Sequence, residues 1–356
     1  MRVRTRQPRS GIALIIVMLV IVVLGILAGA FAYSMKVETT LARHATFDTD
    51  LDWAGRTGVE VAKWVLAQTM PGQAGQSGSF MYKWGDYGTT NDIVAAVSLN
   101  NYEVGDARLS IGIIDLDRKF NINMADEVIL RQAMTLIGVD AAASSTIIGS
   151  ILDWRDTDSN SQLSGAESDY YEGLDPPYYA KDGPIDDLTE LLLVRGVTPA
   201  MYWGSSGGGV PPVLNRPVSG MKSVFDEPTY AVGLVDLFTP ISGRLVNLNT
   251  ASSTVFQLCH PNIDENVAQA IIARRAGPDG QDGTQDDMPF RSPQELITIP
   301  GMTPDAAQAL GARSNTRSFC FEVTISVDMR GTKRDYVAIL RRNGPKDIQT
   351  LNLHWK

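Results

Sequence analysis

The hydrophobic pattern of this chain changes period from block to block, and each change predicts an element. From Ile12 to Ala32 nearly every residue is apolar, and no charge falls between Arg9 and Lys36. A helix rises about 1.5 Å per residue, so this run spans ~30 Å, the thickness of a bilayer's hydrocarbon core. Past Lys36 the pattern becomes that of a half-buried helix. Leu51, Ala54, Gly58, Ala62 and Val65 recur at helical steps, and no proline intervenes before Pro71. One helix is expected from Ile12 to Met70. A cleaved secretory signal is the rival reading, but it would have a shorter apolar core and a small-residue cleavage site at its far end.

After the loop-like stretch 71–87, rich in Gly, Ser and Gln, the period drops to two. Leu109, Ile111 and Ile113 recur at every second position, predicting a strand up to Asp117. Near the C-terminus Phe319, Phe321, Val323, Ile325, Val327 and Met329 line one face of a strand, and Glu322, Thr324, Ser326 and Asp328 the other. Arg330-Gly331-Thr332-Lys333 turns the chain, and Tyr336–Leu340 returns as its partner. Between these strands the pattern is helical from Asn121 to Arg313. The fold class expected is α+β: a long N-terminal transmembrane helix and a small antiparallel sheet, with a large helical domain inserted.

The inserted region repeats itself. Asn121-Ile122-Asn123-Met124-Ala125 matches Asn247-Leu248-Asn249-Thr250-Ala251. Pro184-Ile185, Glu190-Leu191 and Gly196 match Pro289-Phe290, Glu295-Leu296 and Gly301 at identical spacing. A duplication over residues 121–197 and 247–302 is expected, joined through a linker at 204–220. The asparagines suit helix caps, and the glycines suit left-handed helix ends. The division expected is 1–11, 12–35, 36–120, 121–313 and 314–356.

Charge narrows the function. The chain of 356 residues carries net charge −9, and Arg2, Arg4, Arg6 and Arg9 all precede the apolar run. Basic flanks stay cytoplasmic, which places the bulk of the chain across the membrane. Without those four arginines the remainder stands at −13, a poor surface for nucleic-acid phosphates and a good one for cations. Cys259 and Cys320 fall in the exported region, where two states are open: a disulfide or a pair of buried thiols.

Two loops concentrate the acid. Asp153–Tyr171 holds Asp153, Asp156, Asp158, Glu167 and Asp169 against Arg155 alone, and Gly277–Asp287 holds Asp279, Asp282, Asp286 and Asp287 with no base. Calcium takes hard oxygens from such flexible loops, although these residues are also ordinary turn formers and neither loop has EF-hand spacing.

These features together resemble the K-type minor pseudopilins of type II secretion systems. A short basic leader ending in Gly11 before the helix that begins at Ile12 looks like a type IV prepilin signal. The resemblance implies cleavage by a prepilin peptidase after Gly11 and methylation of Ile12. Ile16 stands where most pilins carry glutamate, a departure typical of the K type. D-W-R-D-T-D, G-A-E-S-D-Y-Y, E-L-L-L-V-R-G and N-L-N-T-A also look like that family's signature regions. It implies a pseudopilin fold and calcium as a cofactor, with Asp156, Asp158, Glu167 and Asp169 as ligands in the first loop. Asp279, Asp282, Asp286 and Asp287 would form a separate site, and Asp153 has the alternative of pointing elsewhere. It further implies an inner-membrane protein with a cytoplasmic N-terminus and a periplasmic body. The expected partners are I- and J-type minor pseudopilins, the major pseudopilin and the inner-membrane assembly platform.

Catalytic signatures are absent. His44, His260 and His354 sit in no metal or nucleophile spacing, and there is no P-loop or G-x-S-x-G. Trp53, Trp64 and Trp154 read as packing residues. The repeats are also helix-hairpin-helix-like, so a membrane-anchored DNA receptor is the alternative function. Its candidate hairpins, Leu136–Asp140 and His260–Asp264, both end in aspartate, which opposes phosphate. A calcium-dependent pilus-tip adhesin is the third reading.

Overall fold

The computed structural model describes residues 10–68, 99–205, 229–284, 286–344 and 347–356. Leader residues 1–9, the loop at 71–87 and positions 206–220 of the expected linker lie outside the described residues. The chain divides into two units, Met1–Thr57 and Gly58–Lys356.

The first unit is helical from Ser10 onward, as part of helix α1 (Ser10–Gln68). Its side chains from Ile12 to Ala42 are all exposed. Among the described residues this is the helix long and apolar enough to cross a membrane. Leaving such side chains in water costs about 1.5–3 kcal/mol each for the larger ones, so this surface calls for lipid or other helices. Trp53, expected to pack, is 65% exposed.

In the second unit, the end of α1 lies on an antiparallel sheet of order β1-β2-β7-β8-β9. Its strands are β1 (Tyr102–Val104), β2 (Ala107–Asp115), β7 (Cys320–Met329), β8 (Thr332–Arg342) and β9 (Ile348–Trp355). Register follows the two-residue pattern: Leu109 faces Val327, Ile111 faces Ile325 and Ile113 faces Val323, all buried. Gly58 lets the helix approach, since a Cβ there would lie 2.6 Å from Ile325 Cγ2. Two strand ends differ from expectation. β2 stops at Asp115 and β7 starts at Cys320, because Asp117 accepts hydrogen bonds from the Phe319 and Cys320 amides and turns both chains out of the ladder.

Between β2 and β7 the chain forms the helices α2 (Glu127–Ile137), α3 (Ala141–Arg155), α4 (Ser168–Tyr171) and α5 (Pro199–Trp203). They are followed by α6 (Leu234–Leu237), α7 (Ser253–Cys259), α8 (Glu265–Arg275) and α9 (Pro304–Arg313). Two short parallel pairs bracket them: β3 (Phe120–Asn121) with β4 (Phe238–Thr239), and β5 (Val246–Asn247) with β6 (Ser314–Asn315). One apolar core runs through both repeats, including Ile129, Ile147, Tyr171 and Leu191 from the first and Phe256, Ile271, Phe290 and Leu310 from the second.

The repeated motif has a common construction. Asn121 accepts from the Asn123 amide at 2.9 Å, and Asn247 from the Asn249 amide at 3.0 Å. Each caps a short turn rather than an α-helix; the cap of α2 is Asp126. The second asparagine makes a two-way amide clasp. Asn123 donates to Ile185 O at 2.8 Å and accepts from Ile185 N at 2.8 Å; Asn249 does the same with Phe290 at 3.0 and 2.7 Å. Arg155 reaches the carbonyls of Ile122 and Ala125, and Arg275 those of Leu248 and Ala251. Glu190 accepts from the Asp186 and Asp187 amides, Glu295 from the Arg291 amide. Gly196 and Gly301 have φ of 88° and 80°, a region open to glycine at little cost. Thr198-Pro199 and Thr303-Pro304 then start α5 and α9.

Cys259 and Cys320 are both buried free thiols. Of the two states open in the sequence the disulfide is not the one formed. Cys259 closes α7 within the helical core and donates to Val255 O, whereas Cys320 opens β7.

Candidate metal centre

The first acidic loop leaves the end of α3. Asp153, in its last turn, is fully buried and points back into the loop. It accepts from the Gln162 amide at 3.0 Å and from Ser161 Oγ at 3.4 Å. The loop closes on it tightly: a Cβ at Gly165 would sit 1.9 Å from Asp153 Oδ2. Asp153 is therefore a pin for the loop, the alternative that the sequence left open. Trp154, Tyr171 and Tyr178 pack edge-on and stacked beneath, with ring centroids 5.2–6.4 Å apart.

With the loop so held, Asp156, Asp158 and Glu167 bring one carboxylate oxygen each within 4.8 Å of one another. Glu167 precedes α4, and its side chain makes no cap for that helix. It turns into the cluster and is 7% exposed. Asp156 Oδ1 and Glu167 Oε1 are buried without a hydrogen-bond partner. The loop's own cation does not serve them, because the Arg155 guanidinium is directed at Ile122 O and Ala125 O. Burial, followed by the charges of Asp153, Asp156, Asp182 and Asp158, pushes Glu167 up to about 7. Asp156 is raised by burial and then by Asp158 and Asp153.

Buried anionic oxygens without donors are costly unless a cation is present. The donor set is all hard carboxylate, which suits calcium or magnesium and lacks the nitrogen and sulfur that select zinc or copper. His260 lies elsewhere, 3.2 Å from Asp305. These three residues fit a divalent cation.

The other expected ligands are placed differently. Asp169 is exposed on α4 and stands outside the three-residue cluster. In the second loop Asp282 forks onto Arg275, Oδ1 to Nε at 3.0 Å and Oδ2 to Nη2 at 2.7 Å. Asp279 accepts from the Gln281 amide, Asp286 from the Asp279 amide and Thr284 Oγ1, and Asp287 from the Gly283 and Thr284 amides. Among the described residues these four do not converge as the first group does. Asp182, which no sequence motif marks, also places its charge on both Glu167 and Asp156. It lies at the far end of the loop beside Gly183-Pro184, outside any acidic run, and has the left-handed φ of 49°.

Comparison with known proteins falls on this same region. A family model described as type II secretion system (T2SS), protein K matches residues 107–203, which hold β2, the first repeat and its acidic loop. Type II secretion system protein K of Aeromonas hydrophila is 28% identical over 210 residues, covering 55% of this chain and 61% of that protein. The protein of that name from Klebsiella pneumoniae is 23% identical over 212 residues, 54% of this chain and 60% of its own length. The matched part thus spans about three-fifths of these curated relatives. A chain of the crystal structure of the GspK-GspI-GspJ complex from enterotoxigenic Escherichia coli superposes with a TM-score of 0.63 at 14% identity. That match covers 88% of this chain and 99% of the other, and at this identity it speaks for the fold. The matched first domain, the relatives of one description and the common fold point one way: over residues 107–203 and in its fold the chain is similar to type II secretion system protein K.

Proposed function

We propose that this chain is a minor pseudopilin at the tip of the type II secretion pseudopilus, where it serves protein export across the outer membrane as a structural component. The observation that carries this reading is the joining, in one chain, of an exposed apolar α1 to a sheet domain with the fold of a chain in a minor-pseudopilin complex. In this reading prepilin peptidase cuts after Gly11, Ile12 becomes the methylated N-terminus, and the helix anchors a periplasmic body in the inner membrane. Ile16 lacks the carboxylate that would pair with the amine of a subunit above, which suits a subunit with none above it. The helical region adds bulk that would obstruct further stacking.

Calcium is the proposed ligand of Asp156, Asp158 and Glu167. It would replace the missing donors at the two orphaned oxygens and tie the far end of the first loop to α3. The DNA-receptor reading loses support at its hairpins. Asp140 already occupies the Ala142 and Ala143 amides, and Asp264 the Val267 amide, so the helix N-termini that a phosphate would use are capped by carboxylates.

The test is reconstitution. Residues from Arg43 onward are mixed with the soluble domains of the I- and J-type partners from the same genome, with calcium or chelator, and sized by light scattering. A one-to-one-to-one complex is expected. Failure to form it in either condition would move the function toward an adhesin. Normal pseudopilus number and secretion in a deletion strain would sink the tip assignment.

A further inference from the structure

The two repeats share a fold motif but neutralise their acidic loops by different means. Arg155 and Arg275 hold equivalent positions, each at the C-terminal end of its helix and each donating to two carbonyls of its N-x-N-x-A turn. In the second repeat the loop carboxylate of Asp282 returns to the same guanidinium and takes its Nε and an Nη. In the first repeat, among the described residues, no carboxylate hydrogen-bonds to this guanidinium, and Arg155 Nε is buried without a hydrogen-bond partner. Three of the first loop's acids instead gather with one another, with two oxygens unsatisfied.

The second loop is closed on its own terms. Its backbone crosses at Gly277, where a Cβ would lie 2.1 Å from Asp286 O, and Met288 N donates to Arg275 O at 2.7 Å. Every one of its carboxylates accepts hydrogen bonds from the loop or from Arg275. A metal entering there would have to displace the Arg275 fork, a charge-assisted bidentate pair with only 5% of the arginine side chain exposed. Breaking a buried pair of that kind leaves an uncompensated charge.

We infer that the cation requirement of this protein is confined to the first repeat, and that in the second the Arg275 guanidinium stands in the metal's place. The inference rests on the reading of Asp156, Asp158 and Glu167 as a calcium site. Its consequence is an asymmetric module: withdrawal of calcium loosens 156–183 and leaves 276–288 closed.

Hydrogen exchange on the full chain in detergent micelles, with calcium and with chelator, reads both loops at once, and calorimetry gives the calcium affinity of variants. Chelation is expected to speed exchange in 156–183 by ~10-fold or more while 276–288 is unchanged. Glu167→Gln should abolish the calcium effect. Asp282→Asn should leave calcium affinity within about twofold, because the sites are independent, yet speed exchange in 276–288 with or without calcium. Asp286→Asn is a milder second variant should Asp282→Asn unfold the repeat. Calcium protection of 276–288, or lost affinity in Asp282→Asn or Asp286→Asn, would overturn the inference while the first-loop site stands. Absence of any calcium binding in the wild-type chain would overturn the site reading and the inference with it.

Discussion

At the scale of single residues the first loop is governed by burial of charge. Glu167 has its folded-state pKa pushed up to about 7, above the 4.5 of an unperturbed glutamate. The neutral form is therefore favoured by the fold. Its contribution to stability is complete below pH 4.5 and is lost as pH rises through 7. At the proposed calcium site the trend would reverse, since calcium would bind only the ionised carboxylate and stabilise by mass action, ~2.7 kcal/mol at a hundredfold excess over Kd. Thermal melts of the calcium-free protein should show falling Tm between pH 5 and 8, and melts in calcium should show a gain that grows over the same interval. Glu167→Gln should flatten both curves. Gly165 gives a second residue-level expectation: Gly165→Ala drives a methyl into Asp153, which is itself pinned, and should cost about 3 kcal/mol in denaturant melts. A near-neutral Gly165→Ala would show that Asp153 is free to move.

At the scale of elements the amide clasp explains why N-x-N recurs. Asn249 is 1% exposed and satisfies both the N–H and the C=O of Phe290, which has no exposed surface. Asn249→Ala leaves both groups buried and unpaired, and should destabilise by about 2–4 kcal/mol. Asn123 makes the same clasp with Ile185 from a less buried position, so Asn123→Ala should cost less in the same equilibrium unfolding measurement. The motif spacing was legible in the sequence because the clasp needs asparagine at one point and an extended residue after proline at the other. Its role was not legible, because the partner lies dozens of residues away and the nearest helix start suggested capping. Trp53 is exposed rather than packed for a related reason: helical period predicts a face but not what covers it.

At the scale of the whole molecule, the helical region is tied to the sheet by two buried aspartates. Asp115 gathers Thr250 Oγ1, Ser318 Oγ and Asn247 Nδ2 on one oxygen. Asp117 accepts the amides of Gly243, Phe319 and Cys320. Burial raises both above the usual carboxylate range, and the adjoining Asp115 adds to the rise at Asp117. A proton taken by the pair belongs on Asp115, whose hydroxyl partners can reverse and accept, whereas the amides around Asp117 can only donate. Asp117→Asn would set an NH2 group against backbone donors and should cost about 3 kcal/mol or more, with Asp115→Asn clearly milder. Urea melts of the two variants decide it; equal losses would place the proton elsewhere. The same junction bears on assembly, because the proposed tip role needs the helical region held at a fixed angle to the sheet.

The sequence alone determined the apolar helix, the period-two strands, the helical middle and the internal repeat. Each rests on local spacing: a bilayer's thickness in residues, the alternation of a pleated strand, a motif written twice. It also pointed to the acidic loops, and to both as equals. Only the tertiary structure separated them, since a carboxylate's role depends on which donors reach it. Asp282 meets a guanidinium, Asp153 meets an amide, and one oxygen each of Asp156 and Glu167 meets neither. That difference is set by chain segments brought together across the loop closures, where the distances that decide electrostatics are not written in the spacing of residues along the chain.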